Sequence, residues 1–425
     1  MASDELISRI RDADQFVDSL GLDPFAIDFE VVPADALYEI AAYGSVNHWH
    51  HWSYGRDYWA VKQDMERGNM RLYEVVLNSD PALAYLLESN SATHNGLIAA
   101  HVKGHSEVFK HNVAFANTRR DMPAWFALAS ERMRRYEEQF GVQRVERFLD
   151  LAMSLRNEVS GQPPGDKIVE TERTEYADLL GRKPWEEPDR RPWVLPDQDV
   201  LRFIARYGPF LQDWQRDILN MVREEALYFR PQRYVSVLHE GFATFIHEKA
   251  LRVLARSWQD AVDMTMLHAS VTARPPLELN RYWLGWRLLQ LIERDEGFDT
   301  VVKVAHTETD ASLIRNWLRP EYVRELELFR YHWEDAVNEL HQIRDLTEEE
   351  VLRDQLASQM ARADPQVYVA DVQKDYMLTL KHDVLQSAQL DVGWSGQTLR
   401  SVARLWGARV QLVREGLPIW QVEPD

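Results

Sequence analysis

The sequence contains no cysteine among its 425 residues. This absence excludes thiolate zinc sites, iron–sulfur clusters and cysteine nucleophiles, because each of them depends on a thiolate. Long apolar runs are also missing, and no stretch approaches the roughly 20 apolar residues that a membrane-spanning helix needs. Residues 1–20 lack the basic and apolar regions of a secretory signal. We therefore expect a cytoplasmic protein that does not act in a membrane.

The chain has fewer basic than acidic side chains. The chain has 49 Lys and Arg against 68 Asp and Glu, which gives a formal net charge of -19. Nucleic acid and anionic lipid are both recognised by basic surfaces, so neither is an expected partner. The GxGxxG, Walker and GxSxG motifs are absent, as are the Glu-x-x-His pairs of di-iron bundles. A hydrophobic content of 45% with 28% charged residues is nevertheless typical of a folded protein.

Helical patterns dominate the sequence up to about residue 345. Apolar residues recur near a 3.6-residue period in a series of segments. These candidate helices are 1–20, 56–68, 81–112, 122–157, 198–228, 234–256, 258–269, 279–295, 310–318 and 320–342. We predict a mainly α fold with a large helical domain over 1–345. Within it, the Pro-rich and charged segment 160–197 breaks the pattern, either as a surface excursion or as a lid.

The last eighty residues have a different pattern. Short β-rich runs at 367–372 and 376–382 precede a helical stretch near 396–406, and two further runs follow at 409–415 and 418–422. This order predicts a small α+β domain over residues 346–425. It carries no Gly-rich phosphate loop and no metal-spaced pair, so we interpret it as a packing or interaction module, the place where a protein partner would bind.

A histidine pair is the first candidate for chemistry. His101 and His105 are four residues apart, so on a helix they share one face and can bind one metal ion. The HExxH motif of zinc proteases has a Glu after the first His as general base. Val102 stands at that position here, so the base must come from elsewhere or is missing.

Glu240 and His247 form the second candidate. They are two helical turns apart and project from nearly one face. Gly241, unfavourable in a helix, suggests close approach of another backbone or a ligand. Alone, the pair is equally consistent with a buried contact between helices. Combined with His101 and His105, Glu240 completes the two-His, one-carboxylate set of a zincin-like site for Zn or another divalent metal, with a position open for water.

A histidine-rich loop at 47–55 is the third candidate. His50 and His51 lie among aromatic residues, where they join a metal shell, bind a polar substrate, or pack with their ring nitrogens bonded to the backbone. Glu88 and Asn90 precede the histidine pair. We predict that Glu88 orients a histidine or carries a proton, and that Asn90 contacts the substrate.

Several of these segments resemble the stage V sporulation protein R (SpoVR-like) family. The resemblance covers nearly the whole chain through residues 41–58, 72–90, 99–115, 238–247, 279–286, 309–318 and 375–382. All of the candidate residues at 51, 88, 90, 101, 105, 240 and 247 follow the family pattern. His111 and His239 depart from it, because the family has Asn at both positions. Arg281 also departs, replacing a Pro, and Arg56 replaces a Lys.

What the resemblance implies is a link to spore-cortex formation, hence to modified peptidoglycan, or to a wider stress response in bacteria that do not sporulate. The segment Glu240–Thr244 is also similar to the E-G-W-A segment that provides the third zinc ligand in gluzincin peptidases. The order of the two motifs along the chain is the same.

The leading hypothesis is a zinc-dependent amidase or peptidase acting on a small or peptide-like substrate. His101, His105 and Glu240 would bind the metal, and His247 or Glu88 would transfer the proton. The alternative is a non-enzymatic scaffold or regulator, whose His/Glu cluster is structural or vestigial. A metal-dependent oxidoreductase is a third reading, for which no motif specifically argues.

Overall fold

A computed structural model of the chain describes residues 3–68, 72–165, 193–274, 279–328, 330–334, 339–343, 349–361, 365–373, 375–383, 388–414 and 419–424. Most of the predicted Pro-rich excursion, residues 166–192, lies outside this set. The prediction of a mainly helical protein with a small strand-containing C-terminal domain is confirmed. None of the described helices combines the length and apolar content needed to cross a membrane.

The described residues form sixteen α-helices and nine strands. The helices are α1 (Asp4–Ser19), α2 (Ala34–Tyr43), α3 (Trp52–Glu66), α4 (Ala92–His111), α5 (Met122–Phe140), α6 (Val142–Met153), α7 (Val200–Tyr207), α8 (Asp213–Tyr234), α9 (Ser236–Leu254), α10 (Trp258–Val271), α11 (Arg281–Glu296), α12 (Phe298–Thr307), α13 (Asp310–Trp317), α14 (Pro320–Glu325), α15 (Glu349–Ala361) and α16 (Val392–Trp406). The strands are β1 (Ile27–Val32), β2 (Glu74–Leu77), β3 (Ala82–Leu87), β4 (Arg330–Glu334), β5 (Glu339–Ile343), β6 (Val367–Val372), β7 (Leu378–His382), β8 (Val410–Val413) and β9 (Trp420–Val422).

The chain divides into two compact units. One contains residues 1–135 and 228–361, and the other contains 136–227 and 362–425. Each unit is therefore discontinuous in sequence, with boundaries that fall within α5 and α8. The predicted boundary between 345 and 346 stays a prediction.

The first unit is built around helix α9, which packs against both α4 and α11. Their contact surfaces are apolar and buried, as at Leu97, Phe242 and Leu288. Gly241 of α9 faces Gly285 of α11, and a Cβ on Gly241 would lie 2.5 Å from the Gly285 carbonyl carbon. The close backbone approach predicted at Gly241 is thus confirmed. A β-carbon at either of these two glycines would force helices α9 and α11 apart.

A three-stranded sheet in the order β1-β3-β2 completes this unit around α4. Strand β3 pairs in parallel with β1 and antiparallel with β2. The prediction of a single helix over 81–112 is therefore wrong in its first part. The six residues of β3 are almost all apolar and buried, and such a run has no periodicity that separates a strand from a buried helix.

Other helix boundaries also differ from the predictions. The predicted helix 320–342 is helical only as far as Glu325, and strands β4 and β5 follow it. Gly141, at φ +88°, separates α5 from α6 within the candidate 122–157. Helices α2, α12 and α15 have no counterpart among the candidate helices. These errors fall where a helix is short or where a turn interrupts an apolar pattern.

The second unit contains a four-stranded sheet in the order β6-β7-β8-β9. Strands β7 and β8 are parallel, and the other two pairs are antiparallel. A parallel pair needs a crossover connection, which α16 provides, and its Trp406 packs against Phe203 of α7. The predicted strand–strand–helix–strand–strand order is confirmed.

Candidate metal centre

Helix α4 carries the two histidines at the centre of the candidate site. The helix begins after Ser91, whose hydroxyl accepts the backbone N–H of His94, and ends before Asn112. His101 and His105 are buried, one helical turn apart, with ring centroids 4.6 Å apart. Because residues four apart lie on one helix face, the local backbone alone brings the two imidazoles together.

Two carboxylates face the outward nitrogens of these rings. Glu240 Oε2, from α9, lies 3.4 Å from His105 Nε2 and 3.8 Å from His101 Nε2. Glu74 Oε1, from strand β2, lies 3.6 Å from His101 Nε2. The potential ligand atoms of Glu74, His101 and His105 all lie within 4.8 Å of one another. Imidazole and carboxylate groups are common metal ligands, so this group could hold a metal ion.

The inner nitrogens of the same rings contact further histidines. His101 Nδ1 lies 2.9 Å from His247 Nδ1, and His105 Nδ1 lies 2.9 Å from His239 Nε2. His247 Nε2 continues the chain to His268 Nδ1 at 2.8 Å. A metal-binding histidine normally uses its second nitrogen in a hydrogen bond that fixes the ring. Both His101 and His105 have such a contact.

Burial and charge set the protonation of the cluster. Burial lowers the pKa of His105 and of His247 well below the usual value, and that of His239 and His268 to about 4. Burial also lowers the pKa of His101, but the carboxylates of Glu240 and Glu74 outweigh it and raise the net value. The carboxylates therefore favour a positive charge between them, which a proton or a metal ion can supply.

The carboxylates themselves are affected in opposite directions. Burial, reinforced by the charge of Glu240, raises the pKa of Glu74. Burial would also raise the pKa of Glu240, but His101 and Arg281 lower the net value. Arg281 Nη2 lies 3.6 Å from Glu240 Oε1, and its side chain is half exposed. Glu240 is thus the carboxylate that remains ionised most easily.

A cavity of about 910 Å³ opens onto the cluster. The His/Glu group lines it, together with Arg281, Tyr282 and Asn280 at the start of α11. An apolar wall includes Ile98 and Leu267. A concave site with an apolar wall and a few converging polar groups is the usual form of a small-molecule pocket.

The remaining residues that the sequence predicted for the site do not line this cavity in the part of the chain that the structure describes. His51 caps α3, with Nδ1 2.7 Å from Ser53 Oγ. His50 is exposed and its ring meets the edge of Tyr43. Glu88 is exposed.

Asn90 also lies outside the cavity lining. Its side chain donates to the Tyr73 carbonyl and to Asn95 Oδ1. It therefore supports the backbone beside the cavity, since Tyr73 is one of the lining residues.

Sequence reasoning missed four residues of the site. Glu74, His268 and Tyr282 received no role, and His239 was given none because the family has Asn there. Glu74 had a signal that could have identified it, namely a carboxylate inside an apolar strand, where an ionisable side chain needs a partner. His268 and Tyr282 reach the site only because α10 and α11 pack beside α9.

Comparison with known families assigns the chain. A model of the SpoVR like protein family matches residues 2–364. The chain belongs to the SpoVR-like family. A model of the SpoVR-like C-terminal domain matches residues 363–415, which confirms the resemblance along nearly the whole sequence.

A relative in Escherichia coli (strain K12), named as an uncharacterized protein YcgB, is 29% identical over 458 aligned positions. The match covers 93% of this SpoVR-like chain and 88% of the relative. No solved structure matches the chain.

Proposed function

We propose that this SpoVR-like protein is a metal-dependent hydrolase of an amide or peptide bond. The observation that supports the proposal is the convergence of two imidazole Nε2 atoms and two carboxylates in the lining of one cavity. Two histidines with a carboxylate are the ligand set of several zinc peptidases, which leave a position open for water. The motif order in the sequence predicted His101, His105 and Glu240 as metal ligands, and Glu74 was not among the predicted residues.

In this proposal His101, His105 and Glu240 bind the metal, because Glu240 reaches both imidazoles. A bound divalent ion supplies carbonyl polarisation and makes a water molecule more acidic. Glu74 is the remaining carboxylate, and it is positioned to accept the proton of an attacking water. It would replace the Glu that zinc proteases carry at the position of Val102, a residue whose side chain is fully buried here. His247 fixes the ring of His101 and is well placed to stabilise the charge on it.

The cavity supports a small or peptide-like substrate. Its volume is within the range of roughly 300–1,000 Å³ that is usual for small-molecule pockets. Arg281 can meet a carboxylate or a carbonyl oxygen at the mouth, since only part of its hydrogen-bonding capacity is used by Ser236 and Glu240. The family's connection with sporulation makes peptidoglycan peptides the first substrates to assay.

The test is the metal content of the purified protein, prepared without chelator and measured by mass spectrometry. We expect a divalent metal in the wild type and its loss in His101→Ala and Glu240→Ala. His94→Ala, on the same helix but away from the cavity, is the matched control and should retain the metal. A wild-type protein that neither contains metal nor takes up added zinc would refute the proposal.

A non-enzymatic scaffold is the second candidate, and one observation favours it. The Nδ1 atoms of His101 and His105 each already contact another histidine, and their Nε2 atoms face carboxylates, so the network can be satisfied by protons alone. If that is its role, removing His101 and His105 together should leave partner binding intact. Pull-down of a stoichiometric partner by the double variant would then support the scaffold.

A further inference from the structure

Arg281 is the only Lys or Arg among the described residues that line the cavity. It is the first residue of α11, and the side chain of Asn280 fixes this end of the helix. The amide of Asn280 donates to the Val271 and Ala273 carbonyls at 2.8 Å and 2.7 Å. Its Oδ1 accepts the backbone N–H of Tyr282 at 2.8 Å. The guanidinium is therefore carried by a backbone that is held in place beside the cavity.

The guanidinium and the α4 imidazoles lie on different oxygens of one carboxylate. Arg281 Nη2 is 3.6 Å from Glu240 Oε1, whereas Glu240 Oε2 is the atom that faces His101 and His105. A separation of 3.6 Å exceeds the roughly 2.7–3.2 Å of an N–H···O hydrogen bond, so this contact is electrostatic. Arg281 Nη1 donates to Ser236 Oγ at 3.1 Å. A guanidinium has five N–H donors, more than these contacts use.

A cavity loaded with a divalent metal has a surplus of positive charge. Glu74 and Glu240 are the acidic residues among the described lining, and they supply at most two negative charges. The metal ion and Arg281 together supply three positive charges. Because an uncompensated charge in a partly buried site is unfavourable, a substrate that brings one negative charge is favoured over a neutral one.

The position of the guanidinium indicates where on the substrate this negative charge lies. Successive residues of an extended peptide advance by about 3.3–3.6 Å. Arg281 is separated from the Glu240 carboxylate by about the same distance, 3.6 Å. A peptide whose reacting carbonyl faces the imidazoles thus brings a group one residue further along to Arg281. In a C-terminal residue that group is the α-carboxylate, which a guanidinium binds through two parallel hydrogen bonds.

We propose that Arg281 selects peptides that end in a free α-carboxylate one residue after the cleaved bond, so that single C-terminal residues are removed. This inference rests on the proposed hydrolase function. As the C–N bond breaks, water gives its hydroxyl to the carbonyl carbon and a proton to the leaving nitrogen. The products are a shortened peptide and a free amino acid. Arg281 contacts the terminal carboxylate and not the reacting atoms, so it determines specificity.

Equilibrium dialysis of full-length Glu74→Gln in the presence of zinc tests the selection, because this variant should turn over little substrate. Two pools of N-acetylated dipeptides without Asp or Glu differ only in ending as an acid or as an amide. We expect the acid pool to bind about 10–100-fold more tightly, the range for hydrogen bonds to a charged group. Adding Arg281→Gln should abolish this preference. Adding Arg281→Lys, which keeps the charge but not the paired donors, should retain part of it.

Two controls accompany the dialysis. Arg287→Gln removes an arginine from the same helix, where Arg287 bonds to Gln290 outside the described cavity lining, so the preference should persist. A third pool, amidated but ending in Glu, carries its carboxylate on a side chain and should bind like the amide pool.

Hydrolysis by the zinc-loaded protein with Glu74 intact gives a separate measurement. The acid pool should release free amino acids, detected by mass spectrometry, and the amide pool should not. For the best dipeptide, Arg281→Gln should raise KM about 10–100-fold and leave kcat nearly unchanged, because the lost contact is to a part of the substrate that does not react. An arginine that stabilised the reacting carbonyl would lower kcat instead.

Several results would overturn the inference. They are equal binding of the acid and amide pools, binding of neither, tight binding of the pool that ends in Glu, and a preference that survives Arg281→Gln in protein that circular dichroism shows to be folded. A preference for the acid pool without any release of amino acids would retain Arg281 as a carboxylate-binding residue and reject the proposed hydrolase. Equal hydrolysis of both pools would retain the hydrolase and reject the selection.

Discussion

The crossing of α9 and α11 should be the most sensitive point of the first unit, and Gly241→Ala perturbs it. A Cβ on Gly241 would lie 2.5 Å from the Gly285 carbonyl carbon and 2.9 Å from the Trp286 nitrogen. All of these neighbours are backbone atoms, so no side-chain rotation can relieve the contact. The two helices must move apart.

The size of the effect follows from these distances. Carbon atoms in good contact are about 3.5–4.0 Å apart, so the backbones must separate by roughly 1 Å. Overpacking of this kind destabilises by about 1–3 kcal/mol. Alanine is better than glycine in a helix by up to about 1 kcal/mol. We therefore expect Gly241→Ala to lower the free energy of unfolding by about 1 kcal/mol, the middle of the roughly 0–2 kcal/mol left when the helix-propensity gain is subtracted from the overpacking cost.

Glu240 is the residue next to the crossing, so the same movement should displace its carboxylate. Metal ligands tolerate only about 0.2 Å of displacement from ideal distances, and a shift several times larger weakens binding. Gly241→Ala should thus reduce the metal content as well as the stability. The assays are urea unfolding followed by circular dichroism and metal analysis of the folded protein.

Gly55→Ala is the matched control, because Gly55 lies in α3 and a β-carbon added there would have no neighbouring atom within 4 Å. It should leave metal content unchanged and raise stability by up to about 1 kcal/mol through helix propensity. If Gly241→Ala is as stable as the wild type and binds as much metal, the close-packing argument is refuted.

Three further predictions concern single side chains. Glu74→Gln should retain metal yet lose about 10²–10⁴-fold in hydrolysis, whereas Glu240→Gln should lose the metal itself, as metal analysis and peptide-release assays would show. Arg223→Met should destabilise by about 3–5 kcal/mol in urea unfolding, because it leaves the fully buried carboxylate of Asp199 unpaired; no loss would contradict this. Burial raises the pKa of Asp310 from 3.8 to about 6. The stabilising contribution of this group is complete below pH 3.8 and lost as the pH rises through 6, about 3 kcal/mol in all. Unfolding measured from pH 4 to pH 7 should show a flatter profile in Asp310→Asn.

Sequence spacing predicted the site residues that lie on a single helix. His101 and His105 converge because α4 places residues four apart on one face, whatever surrounds it. Glu240 could be added because a later helix that supplies a carboxylate completes the two-His, one-carboxylate ligand set. Spacing could not predict Glu74, which is separated from His101 by strand β3 and reaches it through the pairing of β2 with the rest of the sheet.

Local sequence was equally insufficient to predict the roles of the residues in the loop at 47–55. The density of histidine and aromatic side chains at 47–55 indicated a special environment, but it did not specify which one. The structure uses His51 to cap α3 and buries Trp49 against Trp125 and Phe126. Both uses are local packing solutions that are indistinguishable from a binding loop in composition alone.

By itself, the sequence determined that any metal here must be bound by histidine and carboxylate, because the chain has no cysteine. It also determined the helical character of the main body and the order of elements in the C-terminal domain, since both follow from local periodicity. Only the tertiary structure decided which carboxylates face His101 and His105, and that the buried Glu107 lies beside His306. Those contacts depend on how α4, α9, α12 and the sheet pack, and packing joins residues that no sequence spacing relates.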